Sequence, residues 1–494
     1  MCGIVGQLRT DGDLADPSIV RSMCAALHHR GPDEEGFLFQ GALGLGMRRL
    51  RVVDLEGGRQ PMGNEDGSVQ VVFNGEIYNH HSLREKLIAR GHQLTTQSDT
   101  EVIAHLYEDE GLECFAFLEG MFAIAIWDKR QEELVLARDR LGKKPLFYAE
   151  TPHGFSFSSE LTSLLCDKSI ERSVNHKAID EYLGYLFVPH PLSIYTDIMK
   201  LPPATWMVVN EKSSSRTGSF WNVHLRSINQ SYNKEDATEE LDELLRMAVK
   251  KRLEADVPVG AFLSGGLDSS LIVAIMRSIG HEELRTFSVG FNESNFNELG
   301  HARKIASIFE TKHEEYVVDY NVEELIPKLL HFFGEPFADS SAIPTYHLAE
   351  VTQKNVTVAL SGDGGDEIFG GYRRYSARLL TDLYNRIPRW AGPVVIEGLL
   401  KTFREPEGYY GNNLRKAGRR FFEYASAVRE SPHTSWGFFL PKKRKMRFIL
   451  NLFPRCYSMI GVLPATTYTG NRRKMLAIKC FLKLICRRIC PTIF

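Results

Sequence analysis

The sequence predicts two unlike domains in one chain, a layered α+β unit followed by an α/β unit built on a parallel sheet. Three observations carry this. At 494 residues the chain exceeds what one ordinary core accommodates. Its first two hundred residues alternate short β-branched and aromatic runs with helical stretches. Beyond residue 235 apolar strands alternate with helices, the pattern of a parallel sheet covered on both faces.

In the first unit the strand-like runs are residues 3–7, 69–73, 121–127 and 133–138. A helix is expected over 83–90, with Ser82 as N-cap and Gly91 at its exit, and another over 100–110, closed by Gly111. The stretch EKSSSRTGSFWN (211–222) is polar and aperiodic, so the first domain is expected to end at 210 and a linker to occupy 211–235. The second domain, 236–440, opens with the amphipathic ATEELDELLRMAVKKRL (237–253). Its strands are expected in VPVGAFL (257–263), RTFSVGF (285–291), HEEYVV (313–318) and VTVAL (356–360), each followed by a helix. Ligands of such sheets sit at the carboxyl ends of the strands.

The composition, 43% hydrophobic and 25% charged, is that of a soluble globular protein. No apolar run reaches membrane-spanning length, and no basic segment with an apolar stretch opens the chain, so neither membrane nor secretion is expected. Eight cysteines without tight spacing point to free thiols in a reducing compartment, with the cytoplasm as the expected location. The net charge of -2 conceals an asymmetry: residues 431–494 hold 13 Lys and Arg and no acid, along with Cys456, Cys480, Cys486 and Cys490.

The loop in AFLSGGLDSS (261–270) has the makings of an anion cradle. Gly265 and Gly266 admit close backbone approach, Ser264 and Ser269 offer hydroxyls, and a helix expected from about Leu271 presents its N-terminus. Asp268 would repel a phosphate unless a divalent cation stood between them, which points to Mg²⁺. The lysine of a Walker loop is absent. The plain alternative is a Gly-Ser turn. A second glycine-rich acidic loop, LSGDGGDEIFGGY (360–372), also follows an apolar strand.

The chain opens MCGIVG, so removal of Met1 would leave Cys2 with a thiol and a free α-amine on one residue. Taken alone, Cys2 also reads as a buried packing residue. Behind it stand HHRGPDEEG (28–36), RRLRVVDLEGGRQPM (48–62), FNGEIYN (73–79), QSDTEV (97–102), EGMFAIAIWD (119–128) and RDRLGKKPLFY (138–148). In this order they resemble the class II glutamine amidotransferases, and SGGLDSS resembles the N-type ATP pyrophosphatases. Together the chain from residue 1 to about 440 is similar to the glutamine-hydrolysing asparagine synthetases.

That resemblance implies an N-terminal-nucleophile hydrolase fold of αββα layers, followed by an α/β ATP pyrophosphatase domain. It implies a Cys2 nucleophile whose thiol passes its proton to the α-amine, with Asn74 and the Gly75 N–H receiving the oxyanion. Arg49 matches the position that grips the glutamine α-carboxylate, with Leu50, Arg51, Val52 and Val53 beside it; Glu76 and Asp99 match those holding the α-amino end. In the second domain Leu263, Ser264, Gly265, Gly266, Asp268, Ser269, Val289, Ser361 and Gly362 match nucleotide-binding positions. Asp363 stands where many members carry Glu, at the position linked to adenylate formation. Asp268 and Asp366 are the metal candidates. The implied substrates are glutamine, aspartate and ATP, with Mg²⁺, an internal ammonia channel and a homodimer; no nucleic acid partner is implied.

The resemblance lapses near residue 441, where the family's lysine segment is not found. The tail 441–494 reads as an out-of-frame or truncated ending, or as a basic helix for nucleic acid or anionic lipid. Two further readings therefore stand beside the first: an amidotransferase acting on another acceptor, such as a peptide or saccharide, and a form with little or no synthetase activity.

Overall fold

The computed structural model describes residues 1–211, 215–223, 233–292, 297–318, 322–372 and 375. The basic stretch 441–494, and the second unit beyond residue 375, lie outside the described residues.

Two six-stranded antiparallel sheets form the first unit. One contains β1 (Gly3–Arg9), β2 (Glu34–Gln40), β3 (Leu43–Arg49), β8 (Phe147–Thr151), β9 (Gly154–Ser158) and β10 (Ile198–Lys200), in the order β10-β8-β9-β1-β3-β2. The other contains β4 (Met62–Gly63), β5 (Val69–Ile77), β6 (Gly120–Asp128), β7 (Glu133–Arg138), β11 (Thr205–Asn210) and β12 (Ser215–Ser219), in the order β12-β11-β7-β6-β5-β4.

Side-chain alternation explains the layering. Ile4, Leu45 and Phe157 of the first sheet meet Val72, Ala125 and Leu136 of the second in one buried cluster. Val71, Phe73, Ile124 and Ile126 point the other way, onto the helix Asp99–Glu110 through Val102 and Ile103. Val5 and Ala149 face Val20 and Met23 of the helix Pro17–Ala26. Each sheet is thus apolar on both faces, and the layers run α, β, β, α.

Among the described residues the second unit has a four-stranded parallel sheet of β13 (Val259–Phe262), β14 (Arg285–Gly290), β15 (Lys312–Val317) and β16 (Val358–Leu360), ordered β15-β14-β13-β16. Helices Lys234–Arg252, Leu267–Ser278 and Leu299–Ile308 pack onto it through Val249, Val273 and Ala302. The strands carrying the two glycine-rich loops are neighbours.

Several boundaries differ from expectation. The helix expected over 83–90 is His80–Ala89, with Asn79 rather than Ser82 at its N-cap; Ser82 instead donates to the Asn79 carbonyl at 3.0 Å. The expected linker contains β12, which pairs with β11 from Thr205↔Ser219 to Val209↔Ser215. The helix expected from about Leu271 begins at Leu267 with Gly266 as its N-cap, which puts Asp268 in its first turn. Gly111 closes its helix as expected, at φ 55°.

Candidate active sites

The first site forms where the two sheets and the second unit meet. Strand β1 sets Cys2 at one sheet's end, β5 supplies Asn74, Gly75 and Glu76 from the other, and the helix Asp99–Glu110 presents its first residue. These residues line a cavity of about 290 Å³ with Arg49, Leu50, Val52, Val53 and Lys144, while Thr357, Val358 and Ala359 of the second unit complete its wall. Ligand pockets run upward from roughly 300 Å³, so the space suits a small amino acid rather than a nucleotide.

Cys2 is half-buried, and its thiol donates to the Leu50 carbonyl at 3.7 Å. Its own carbonyl accepts from Arg30 Nε at 2.8 Å, and Arg30 Nη1 is held by Glu160 at 2.8 Å. Burial raises the pKa of the thiol. Met1 as a residue is 62% exposed, yet burial draws its α-amine down to about 6. Burial thus favours the neutral, proton-accepting form of the Met1 amine.

Asn74 is fully buried, and neither atom of its side-chain amide has a partner. Buried amides are ordinarily satisfied; one left open on a cavity wall is poised for a ligand. Gly75 must be glycine: a Cβ there would stand 2.1 Å from the Met121 carbonyl oxygen. Asp99 accepts the Ile77 N–H at 3.0 Å, and burial, reinforced by Glu76, lifts its pKa to about 7. Burial also raises Glu76 and lowers Lys144, each pulled back by the other.

The Arg49 guanidinium is engaged: Nη1 donates to Glu34 at 3.0 Å, and Nη2 to the carbonyls of Val53 at 3.0 Å and Asp54 at 2.7 Å. A carboxylate taking Arg49 in a bidentate pair would have to replace one of these bonds, because only Nε–H is outside them. Arg51, expected beside Arg49, does not line the cavity; its backbone N–H donates to Asp33 at 2.9 Å.

At the second site the two loops close on each other. Ser264 and Ser269 hydroxyls lie 3.0 Å apart, and the Gly266 N–H donates to Ser264 Oγ at 3.3 Å. Gly265 has φ 78°, and a Cβ there would meet the His301–Ala302 backbone at 2.5 Å. A Cβ at Gly362 would meet the Ser269 N at 2.7 Å, so the second loop passes directly over the first. Ser361 Oγ donates to Asp363 at 2.9 Å. Leu263 is buried at the end of β13, its N–H donating to Phe287 at 2.9 Å; Val289 lies on the adjacent β14.

The cavity thus gathers Cys2, Arg49, Leu50, Val52, Val53, Asn74, Gly75, Glu76 and Asp99, and the paired loops hold the second group of sequence candidates except Val289, on the strand beside them, and Asp366, in the short helix Gly365–Phe369. Lys144 and Arg30 were given no role by sequence reasoning. Both sit in stretches it singled out, KKPLFY and HHRGP, but a lone cation in a loop carries no sign of burial.

Residues 1–221 match the glutamine amidotransferase domain family, and residues 240–450 match the asparagine synthase family. A protein of Methanocaldococcus jannaschii described as putative asparagine synthetase [glutamine-hydrolyzing] 2 is 36% identical over 493 residues, covering 91% of this chain and 92% of its own. The chain belongs to the glutamine-hydrolysing asparagine synthetase family. Asparagine synthetase [glutamine-hydrolyzing] 1 of Bacillus subtilis is 35% identical over 424 residues, 85% of this chain, and the chain spans 66% of that relative's length. Among solved structures, a glutamine phosphoribosylpyrophosphate amidotransferase from B. subtilis aligns over 69% of this chain and 94% of its own. Its identity is 14% and its TM-score 0.37, too slight a likeness to carry an argument. Both halves of the synthetase family's architecture are therefore present in one chain, and no described helix is long and apolar enough to cross a membrane.

Proposed function

We propose that this chain makes asparagine from aspartate, ATP and glutamine. Cys2, freed of Met1, attacks the glutamine side-chain amide and passes its proton to its own α-amine. The open Asn74 amide and the Gly75 N–H receive the oxyanion, Arg49 takes the α-carboxylate, and Asp99 with Glu76 takes the ammonium. The ammonia released attacks β-aspartyl-AMP formed on the parallel sheet, giving asparagine and AMP after pyrophosphate has left. The observation that carries this reading is the single cavity shared by Cys2, the unpartnered Asn74 amide and residues 357–359 of β16 and its approach.

The nucleotide belongs to the paired loops, where serine hydroxyls and the N-terminus of Leu267–Ser278 face it. The donors suit magnesium: glycine at 365 leaves room for the Asp268 carboxylate, which a Cβ there would meet at 2.6–2.9 Å. Asp268 and Asp366 would hold the ion, which when bound neutralises triphosphate charge. Asp363, tied to Ser361, would serve adenylation and the ammonia step. A cytoplasmic homodimer belongs to the same reading.

The test measures asparagine formed with glutamine or with ammonium, for the unmutated chain and Cys2→Ala. The variant is expected to lose only the glutamine-dependent reaction. Equal loss of both makes Cys2 structural, and pyrophosphate release with a carboxylate other than aspartate reassigns the acceptor.

A further inference from the structure

The side chains of Glu65, His92, His105 and Glu108 take no part in that chemistry, and we propose that they form a binding site for zinc or a similar borderline divalent cation. They come from three segments. Glu65 lies in the turn between β4 and β5, and His92 follows the helix His80–Ala89. His105 and Glu108 stand one turn apart on the helix Asp99–Glu110. One ligand atom from each lies within 4.8 Å of all the others.

The spacing around the two imidazoles approaches that of a coordination shell, with Glu65 offering a different oxygen to each ring. His92 Nδ1 and His105 Nδ1 are 3.2 Å apart. His92 Nδ1 is 3.3 Å from Glu65 Oε1, and His105 Nδ1 is 3.1 Å from Glu65 Oε2. A tetrahedron with bonds of about 2.0–2.1 Å has an edge of roughly 3.3–3.4 Å. Glu108 closes the set while accepting from Asn64 at 2.8 Å and from Arg130 at 2.8 Å. The Gln93 N–H fixes Glu65 at 2.8 Å.

The outward ring nitrogens carry the inference further. His92 Nε2 lies 3.0 Å from Asp109, and His105 Nε2 faces Glu101 at 4.0 Å. Asp109 places the His92 imidazole proton on Nε2 and turns its Nδ1 lone pair inward, as carboxylates do behind metal-bound histidine, while His105 Nε2 is buried with no hydrogen-bond partner. His105 is only 1% exposed. Without a cation, the His92 Nδ1 lone pair would face the Glu65 carboxylate at 3.3 Å, unless a proton settled on His92 to make an imidazolium between Glu65 and Asp109. Two imidazoles and two carboxylates favour zinc over magnesium or calcium, which select all-oxygen shells.

The test strips the full chain with a chelator and follows uptake of zinc chloride by calorimetry. One equivalent is expected to bind, with His92→Gln and Glu65→Gln each at least about tenfold weaker and Cys2→Ala unchanged. Cobalt(II) on the unmutated chain decides without any variant: tetrahedral nitrogen-oxygen bands are expected. Thiolate bands, no stoichiometric uptake, or equal uptake by the unmutated chain and both folded variants would overturn the site, leaving a protonated histidine pair.

Discussion

The carboxylate of Asp256 accepts the Asp54 N–H at 2.7 Å, while the Asp256 N–H donates to the Val52 carbonyl at 2.9 Å. The segment lining the Cys2 cavity is thereby tied to the residues that lead into β13 and its glycine-rich loop. Arg252, four residues before Asp256, stacks 4.6 Å over Tyr78, which follows the cavity residue Glu76 by two. Asp256→Ala keeps one of the two bonds and removes the charge-assisted one, of a kind worth about 1.5–3 kcal/mol when shielded and less at an exposed junction. Asparagine formed per glutamate released is expected to fall severalfold, with ammonia-dependent synthesis retained. Parallel assay of both products checks this.

Asn74→Ala separates a ligand-facing amide from a structural one. A structural asparagine leaves broken partners behind, whereas this one has none to break. The glutaminase kcat is expected to fall by about 10²–10³, while the unfolding free energy changes by less than about 1 kcal/mol. Steady-state kinetics and urea unfolding on the same preparation measure the two quantities. A large stability loss would return Asn74 to the core.

Asp99 links the cavity to pH. Its carboxyl titrates at about 7 in the folded chain and near 3.9 when unfolded. The folded state therefore retains a proton that the unfolded state has released between those values. This group's contribution to stability is full below the unfolded value and is lost as pH rises to about 7. Without glutamine, Asp99→Asn is expected to flatten the fall in melting temperature between pH 5 and 8. The ammonium of glutamine favours the carboxylate, so the variant should also raise KM for glutamine. Melting curves across that range, with and without glutamine, read both effects.

Much of this architecture was legible because alternation is a two-residue signal. Val71 and Phe73 face one layer and Val72 the other, so the strand at 69–73 shows in the sequence before any contact is known. Strand β12 was not legible: SRTGS is a polar edge strand, and edges are protected by polar residues. Caps shifted two helix starts because Asn79 and Gly266 begin their helices ahead of the apolar residues that signal them. The candidate cavity was legible as a set of stretches, but burial of Lys144 and the open Asn74 amide depend on two sheets meeting. Nor could spacing reveal Glu65, His92 and His105 as neighbours, since three separate segments bring them together.

Gly362→Ala probes the second site with the first as its internal control. The new Cβ would stand 2.7 Å from the Ser269 N and 2.9 Å from the Asp268 Cβ, both fixed parts of the first turn of Leu267–Ser278. Backbone cannot yield as a flexible side-chain end can, so one loop must leave the other. A shift of about 1 Å in positioning groups can cost around a hundredfold in rate. Aspartate-dependent exchange of pyrophosphate with ATP is expected to fall by about that factor, and glutamine hydrolysis by less than about twofold, since no Cys2-site contact changes. Equal loss of both would mean that the loops support the whole chain rather than a nucleotide. Unchanged exchange would mean that the nucleotide binds elsewhere.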